Sequence, residues 1–221
     1  MTDPGLRARK KARTRQAIAD AAARLFAQRG FEQVAVSDVA RAAEVSEQTV
    51  YNYFQTKEQL VTGRHQLVQD ELSRLIRTRP PGITPAAAIR AFVLDYVEGI
   101  RRIPAGQWRG ELGFLAAISP TVRRLALEMS DRQAAALATA IAETGAVAPE
   151  IARLRGIALA GVFQIIIAEA GRRTREGQSQ DQIADELRPA IEAVLDDLDA
   201  WPTPAEDQNS GNRARIPGAE E

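Results

Sequence analysis

Apolar residues recur at helical spacing along most of the chain, and this pattern constrains the fold more than any other feature. Near the start, Ile18, Ala22 and Phe26 are spaced four residues apart and fall on one stripe of a helix. No segment shows the strict alternation of polar and apolar residues that is typical of a half-buried strand. The sequence therefore predicts an all-α protein.

Glycine and proline divide the predicted helices, and charge and polarity mark four parts of the chain. We expect a disordered basic arm (1–13), a helix-turn-helix domain (14–58), a helical body (59–200) and a disordered tail (201–221). Breaks such as Pro104–Gly106 and Gly145–Pro149 separate the body helices. The helices predicted in the body after the fourth helix span 85–102, 108–118, 121–144, 150–175 and 179–200.

Composition excludes several classes of enzyme. The chain has no cysteine and one histidine, His65, so thiolate chemistry and a site built on several histidines are excluded. We expect no catalytic residues, no metal and no cofactor. The net charge is zero, but residues 1–64 carry 11 basic and 7 acidic side chains. A basic first third on an acidic remainder suggests that this end of the chain meets a polyanion.

Capping residues predict a helix-turn-helix within residues 37–54. Ser37 is expected to cap a second helix over 38–43, and Ser46 a third over 47–54. Val45 and Val50 have the spacing of a hydrophobic staple, which would fix the angle of the third helix. Thr56 and Gln59 have capping-box spacing and predict the start of a fourth helix.

The third helix has an unusual composition for a surface helix. Thr49, Tyr51, Asn52 and Tyr53 are hydrogen-bonding residues where Glu and Lys are more usual. Val50 and the residue four positions on, Phe54, would anchor the opposite side. A polar, aromatic face on a short capped helix is typical of a recognition helix in a major groove.

The run IADAAARLFAQRGFEQVAVSDVARAAEVSEQTVYNYFQTKEQL, from Ile18 to Leu60, resembles the DNA-binding domain of the TetR family of bacterial regulators. This chain departs from the family by having Glu44 where glycine is usual in the turn, and Gln48 where a small residue is frequent. Glu44 implies either a turn without positive φ or some strain. The resemblance implies base contacts near Glu47, Gln48, Thr49 and Tyr51. It implies phosphate contacts from Asn52, Tyr53 and Lys57, and an approach of Ser37 to the DNA backbone. The predicted DNA-binding set is Ser37, Ser46, Glu47, Gln48, Thr49, Tyr51, Asn52, Tyr53 and Lys57.

The same resemblance implies that the body dimerises and binds a ligand. The last two helices, over about 150–200, are expected to form the homodimer contact, because the first is apolar nearly all round and the second carries an amphipathic stripe. A small organic effector would bind among aromatic and polar residues on otherwise apolar helices. The predicted ligand-binding residues are Phe92, Tyr96, Trp108, Glu111, Phe114 and Gln164.

Together these features predict a cytoplasmic, ligand-released repressor that binds a palindromic operator as a homodimer. No apolar run is long enough to suggest a membrane span, since the longest covers only about 156–168. The switch would be a tilt of the fourth helix. Two alternatives remain open: a helical DNA-binding architectural protein without a ligand, and an enzyme of unfamiliar helical fold whose acid–base groups would be His65 and scattered carboxylates.

Overall fold

The computed structural model describes residues 4–145 and 147–201, and this part of the chain is all-α, as predicted. A single 3₁₀ turn, Gly99–Arg102, follows the fifth helix. The helices are α1 (Pro4–Arg29), α2 (Val36–Ala42), α3 (Glu47–Tyr53), α4 (Lys57–Arg77), α5 (Pro85–Glu98), α6 (Ala105–Trp108), α7 (Leu112–Ile118), α8 (Pro120–Thr144), α9 (Pro149–Arg175) and α10 (Gln180–Asp199).

The helices α1, α2 and α3 and the start of α4 surround one hydrophobic core. Ile18 and Phe26 of α1 are buried against Val50 of α3 and Phe54. Gly30 ends α1 with a positive φ of 76°, and its N–H donates to the carbonyl of Phe26. This turn brings the ring of Phe31 to 5.4 Å from that of Phe26. The stripe predicted from the sequence is therefore the buried face of α1.

The helix-turn-helix has the predicted order, but its second helix begins differently. Ser46 caps α3, since its hydroxyl accepts the N–H of Thr49 at 3.0 Å. Ser37 was expected to cap α2, but it lies inside the first turn, because α2 begins at Val36. The carboxylate of Asp38 instead accepts the N–H of Ala35, the N-cap residue, at 3.1 Å. This hydrogen bond stabilises the start of α2 without a side-chain cap from Ser37.

The basic N-terminal segment is helical in the structure, where disorder was expected. Residues 4–13 form the first turns of α1, and only residues 1–3 of the expected arm lie outside the described part. Proline is favourable in the first turn of a helix, and alanine, arginine and lysine are good helix formers, so the helix continues outward from its buried part. The expected disordered tail lies outside the described residues from position 202 onward.

In the body, α8 and α9 pack along each other, α7 lies across both, and α10 covers α5. Two cores result, and they do not divide at residue 58. Leu60 and Val61 of α4 belong to the N-terminal core, and so do Leu112 and Leu115 of α7. The N-terminal region is thus seated on the body through α4 and α7.

The helix expected over 108–118 is broken in the structure. Helix α6 ends at Trp108 and α7 starts at Leu112, with Gly110 between them. A Cβ on Gly110 would overlap the carbonyl oxygen of Ala23 in α1. Close packing against α1 explains the break, because the chain must turn where only glycine fits.

By length and composition alone, α9 is long and apolar enough to cross a membrane, which differs from the expectation drawn from its shorter apolar run. The most apolar window of α9 is 39% buried within this single chain. Core helices of soluble proteins meet the same criterion, and α8 covers one side of α9. The membrane interpretation is therefore weakly supported.

Candidate nucleic-acid interface and ligand cavity

Helix α3 presents its polar residues outward from a single apolar anchor. Val50 is 1% exposed in the core, whereas Tyr51 is 43% exposed. Glu47, Gln48 and Asn52 are exposed, and Thr49 and Tyr53 are half-buried. Three of the four residues predicted to contact bases, Glu47, Gln48 and Tyr51, therefore lie on an accessible surface, and the buried side of α3 fixes the orientation of that surface.

Hydrogen bonds within α3 hold some of these side chains in place. The hydroxyl groups of Ser46 and Thr49 are 2.8 Å apart, so Thr49 is tied to the helix cap. Gln48 donates to the amide oxygen of Asn52 at 3.2 Å. These residues form a partly ordered row of donors and acceptors, which is the chemistry needed to read base edges and phosphates.

The turn before α3 contains a residue in an unfavourable conformation. Glu44 has a φ of 54° and is the non-glycine residue with positive φ in the described ranges 4–145 and 147–201. The strained alternative is the one observed. Backbone bonds from Glu44 to Arg41 and from Val45 to Ala40 close the turn and compensate for the strain.

Lys57 is partly engaged within the protein. Its ammonium donates to the carbonyl of Glu32 at 3.3 Å and lies 4.4 Å from the centroid of the Phe31 ring. The Glu32 carboxylate accepts the hydroxyl of Ser119, the N-cap of α8. This hydrogen bond lowers the pKa of Glu32. The predicted phosphate contact of Lys57 would thus involve a side chain already held against the α1–α2 turn.

A cavity of about 470 Å³ opens inside the body and borders α1. Five of the six predicted ligand-binding residues line it, so the structure brings together positions 22 residues apart in sequence. They are Phe92, Tyr96, Trp108, Glu111 and Phe114. Gln164, the sixth, lines an adjoining cavity of about 260 Å³ and accepts the hydroxyl of Ser130 at 3.3 Å.

His65, which the sequence analysis considered only as an acid–base group of an enzyme, lines both cavities. Its Nδ1 is 3.5 Å from the hydroxyl of Tyr96, whose ring lies 5.3 Å from that of Phe163. The available signal was spacing: His65 shares a face of α4 with the buried residues Val68 and Leu72. Across the described residues, no group of three or more His, Cys, Asp or Glu side chains could hold a metal ion.

The fold and the exposed face of α3 together define an all-helical protein of the helix-turn-helix class. A family model described as bacterial regulatory proteins of the TetR family matches residues 18–62. Residues 18–62 therefore carry the DNA-binding domain that this model describes, as their resemblance predicted, and the all-α fold class is confirmed for the described residues.

Comparison with individual proteins agrees with this assignment. The HTH-type transcriptional regulator TcmR of Streptomyces glaucescens is 33% identical over 86 residues, which are 39% of this chain and 38% of TcmR. MftR of Mycobacterium tuberculosis, also named as a transcriptional regulator, is 32% identical over 88 residues, which are 40% of this chain and 44% of MftR. Both matches span less than half of these relatives and so do not extend to their whole length.

A solved structure, among others, shares the fold over most of the chain. It is native NalD of Pseudomonas aeruginosa, the secondary repressor of the MexAB-OprM multidrug efflux pump. The similarity has a TM-score of 0.52 at 20% identity and covers 83% of this chain and 96% of NalD. At this identity the likeness establishes the fold alone.

Proposed function

We propose that this chain is a cytoplasmic transcriptional repressor that binds a palindromic operator as a homodimer and is released by a small organic effector. One observation carries the proposal: α3 exposes a polar and aromatic face while Val50 anchors its other side at 1% exposure. A short helix fixed in this way can enter a major groove as a rigid unit. No catalytic step is assigned to the chain.

The exposure and position of the predicted DNA-binding residues suggest which of them would contact bases and which would contact phosphates. Gln48 and Tyr51 are exposed on α3 and would reach base edges, with Glu47 at the head of the helix able to accept from cytosine. Asn52 and Tyr53, near the C-terminal end of α3, would contact phosphates. Ser37, Ser46 and Thr49 would add hydroxyl contacts at the helix starts, and Lys57 a charge beside the α1–α2 turn.

An exposed apolar stripe on α9 supports the homodimer. Leu154, Ile157 and Ile165 are 58%, 51% and 47% exposed in the single chain. Their spacing places them on one helical face, and Gly161 lies between them with open space where a Cβ would be. A face of this kind is stabilised when a second copy covers it, and α10 beside it would complete a four-helix contact.

The cavities support a ligand-dependent switch, and α7 supplies a second route for it beside the predicted tilt of α4. Phe114 and Glu111 border the larger cavity, while Leu112 and Leu115 belong to the N-terminal core. A ligand that displaces α7 would therefore also move residues of the N-terminal core, on which the helix-turn-helix packs. A ligand binding the two states unequally would then lower operator affinity by a typical coupling of about 1–3 kcal/mol.

Replacing Tyr51 tests the DNA-binding proposal. The operator is obtained by selecting duplexes from a random library with the full chain, and binding is followed by fluorescence anisotropy. Because Tyr51 is exposed, Tyr51→Ala should leave the melting temperature unchanged and weaken operator binding about tenfold to a hundredfold. The matched control is Leu127→Ala, an exposed residue on α8. Equal binding by both variants, or no selected duplex at all, would contradict the proposal.

The dimer proposal has a closely matched pair of variants. Leu154 on α9 and Leu67 on α4 are exposed to 58% and 59%. Leu154→Glu should convert the dimer to a monomer in light scattering, because it places a charge in the contact, whereas Leu67→Glu should remain dimeric. A monomeric wild-type chain, or a Leu154→Glu dimer as tight as wild type, would contradict this arrangement.

A further inference from the structure

The first turns of α1 extend beyond the folded core. The buried part of α1 begins at Ile18, while residues 7–13 are all exposed. At 1.5 Å per residue, the ten residues 4–13 span about 15 Å. We call Arg7–Arg13 the basic overhang.

The basic overhang carries a high density of positive charge. Five of its seven residues are Arg or Lys, and no Asp or Glu occurs between Pro4 and Ala19. It contains two of the three lysines of the chain. Pairs such as Arg7 with Lys11 and Arg9 with Arg13 are four residues apart, so like charges repel along the helix and also oppose its positive dipole end. A nearby polyanion would remove both penalties.

Arg15 fixes the end of the basic overhang that is nearer the core to α3. Its guanidinium donates to the carbonyl of Tyr53 at 3.1 Å and to that of Gly63 at 3.3 Å, and it lies 4.5 Å from the centroid of the Phe54 ring. The overhang therefore ends at Arg13, two residues before this contact with the C-terminal end of α3. A Cβ on Gly63 would come within 2.9 Å of this guanidinium, which shows how closely the junction is packed.

We propose that the basic overhang is a second DNA-binding surface, which contacts backbone phosphates beside the base pairs read by α3. The inference rests on the proposed function, because the duplex must first be held by the helix-turn-helix. Phosphate contacts of this kind carry no sequence information and add affinity that depends strongly on salt. The continuity with α3 through Arg15 favours duplex DNA over an anionic membrane as the occupant.

The test compares two double variants of the full chain that remove equal charge. Lys10→Gln with Lys11→Gln neutralises the overhang, and Arg124→Gln with Arg132→Gln neutralises two exposed arginines of α8. Affinity is measured between about 0.05 and 0.3 M salt on two duplexes, the selected operator alone and the operator with about 10 added base pairs on each side. Binding to vesicles of phosphatidylserine and phosphatidylcholine is measured in parallel.

The overhang variant should bind the flanked duplex more weakly than wild type does, and the short duplex almost as tightly. The slope of log K against log salt should become less steep by about 0.9 for each phosphate that the variant no longer neutralises, thus by about 4 for two lysines in each subunit of a dimer. The α8 variant should match wild type. Equal behaviour of the two variants on the flanked duplex overturns the inference, as does a lysine-dependent affinity confined to vesicles. A wild-type chain that binds no duplex would instead defeat the proposed function.

Discussion

The N-terminal region and the body of this protein have surfaces of opposite character. Of the large hydrophobic residues that are exposed within the described ranges, Tyr51 lies in the N-terminal region, and seven others lie in α4 and the body helices or their loops. These are Leu67, Ile83, Ile118, Leu127, Leu154, Ile157 and Ile165. The first region hides its apolar residues and offers polar groups and charge. The body keeps apolar surface and cavities exposed, which is typical of a protein that self-associates and binds small molecules.

The contrast in surface does not make the regions independent, and Leu115→Ala should show this with the largest effect. Leu115 is fully buried in the N-terminal core although it belongs to α7. The truncation should cost about 2–5 kcal/mol of unfolding free energy in urea and shift the whole transition. Leu127→Ala, at an exposed site on α8, is the control. A transition that splits, with the body unaffected, would show that the regions fold separately.

A smaller loss is expected at the crossing of α7 and α9, which belongs to the body alone. A Cβ on Gly171 would overlap the backbone of Gly113, so Gly171→Ala must push the helices apart. We expect a loss of about 1–3 kcal/mol in urea unfolding. In Gly106→Ala the new methyl group meets open space, so stability should stay the same or rise slightly. Equal stabilities would mean that the crossing is not tightly packed.

The N-terminal region and the body also differ in how much of their structure the sequence predicts. In the N-terminal region the informative signals are local: the Ser46 cap and the Val45–Val50 spacing lie within a few residues of α3, and the structure contains the helix start they predict. The close approach of Gly110 to Ala23 and of Gly171 to Gly113 joins residues far apart in the chain. No periodicity within one helix encodes such contacts, so the break before α7 was missed.

The functional residues divide in the same way. Exposure of Tyr51 follows from its position beside the buried Val50 on one helix, and the sequence could predict it. The attachment of Lys57 to the Phe31 ring and the Glu32 carbonyl depends on how α4 meets the α1–α2 turn, which the sequence does not specify. The chemistry of the cavity residues predicts a ligand site, but the sequence does not show that these residues converge or that His65 borders them.

The turn before α3 offers a gain in stability, which sharpens the view of the N-terminal region as locally determined. Glu44 adopts a φ of 54°, so Glu44→Gly should relieve strain and stabilise the chain by about 0.5–1 kcal/mol after the added flexibility of the unfolded state is subtracted. Gly30 has a φ of 76°, and Gly30→Ala should destabilise by a similar amount. Thermal unfolding measures both changes. A destabilising Glu44→Gly would show that the carboxylate has a compensating role.

The smallest expected effect concerns acid pH and the start of α2. The hydrogen bond from the Ala35 N–H lowers the pKa of Asp38, and Arg29, 2.9 Å away, lowers it further. A lowered pKa in the folded state gives stability that is present above the ordinary value and lost as pH falls through the folded value, so below about pH 4. Asp38→Asn should flatten this part of the stability curve measured by urea unfolding.

The control for the lost charge alone is Asp131→Asn, on the exposed face of α8. If both substitutions change the acid dependence equally, the hydrogen bond at Ala35 has no particular role in the stability of the N-terminal region.

The orientation of α3 on DNA can be tested directly by hydroxyl-radical footprinting of the full chain with and without its selected duplex. Tyr51, 43% exposed in the free chain, should become strongly protected from oxidation when DNA is bound, while exposed Leu127 on the body should be oxidised equally in both samples. Unchanged oxidation of Tyr51 in a sample saturated with duplex would contradict the assignment of α3 as the helix that enters the groove.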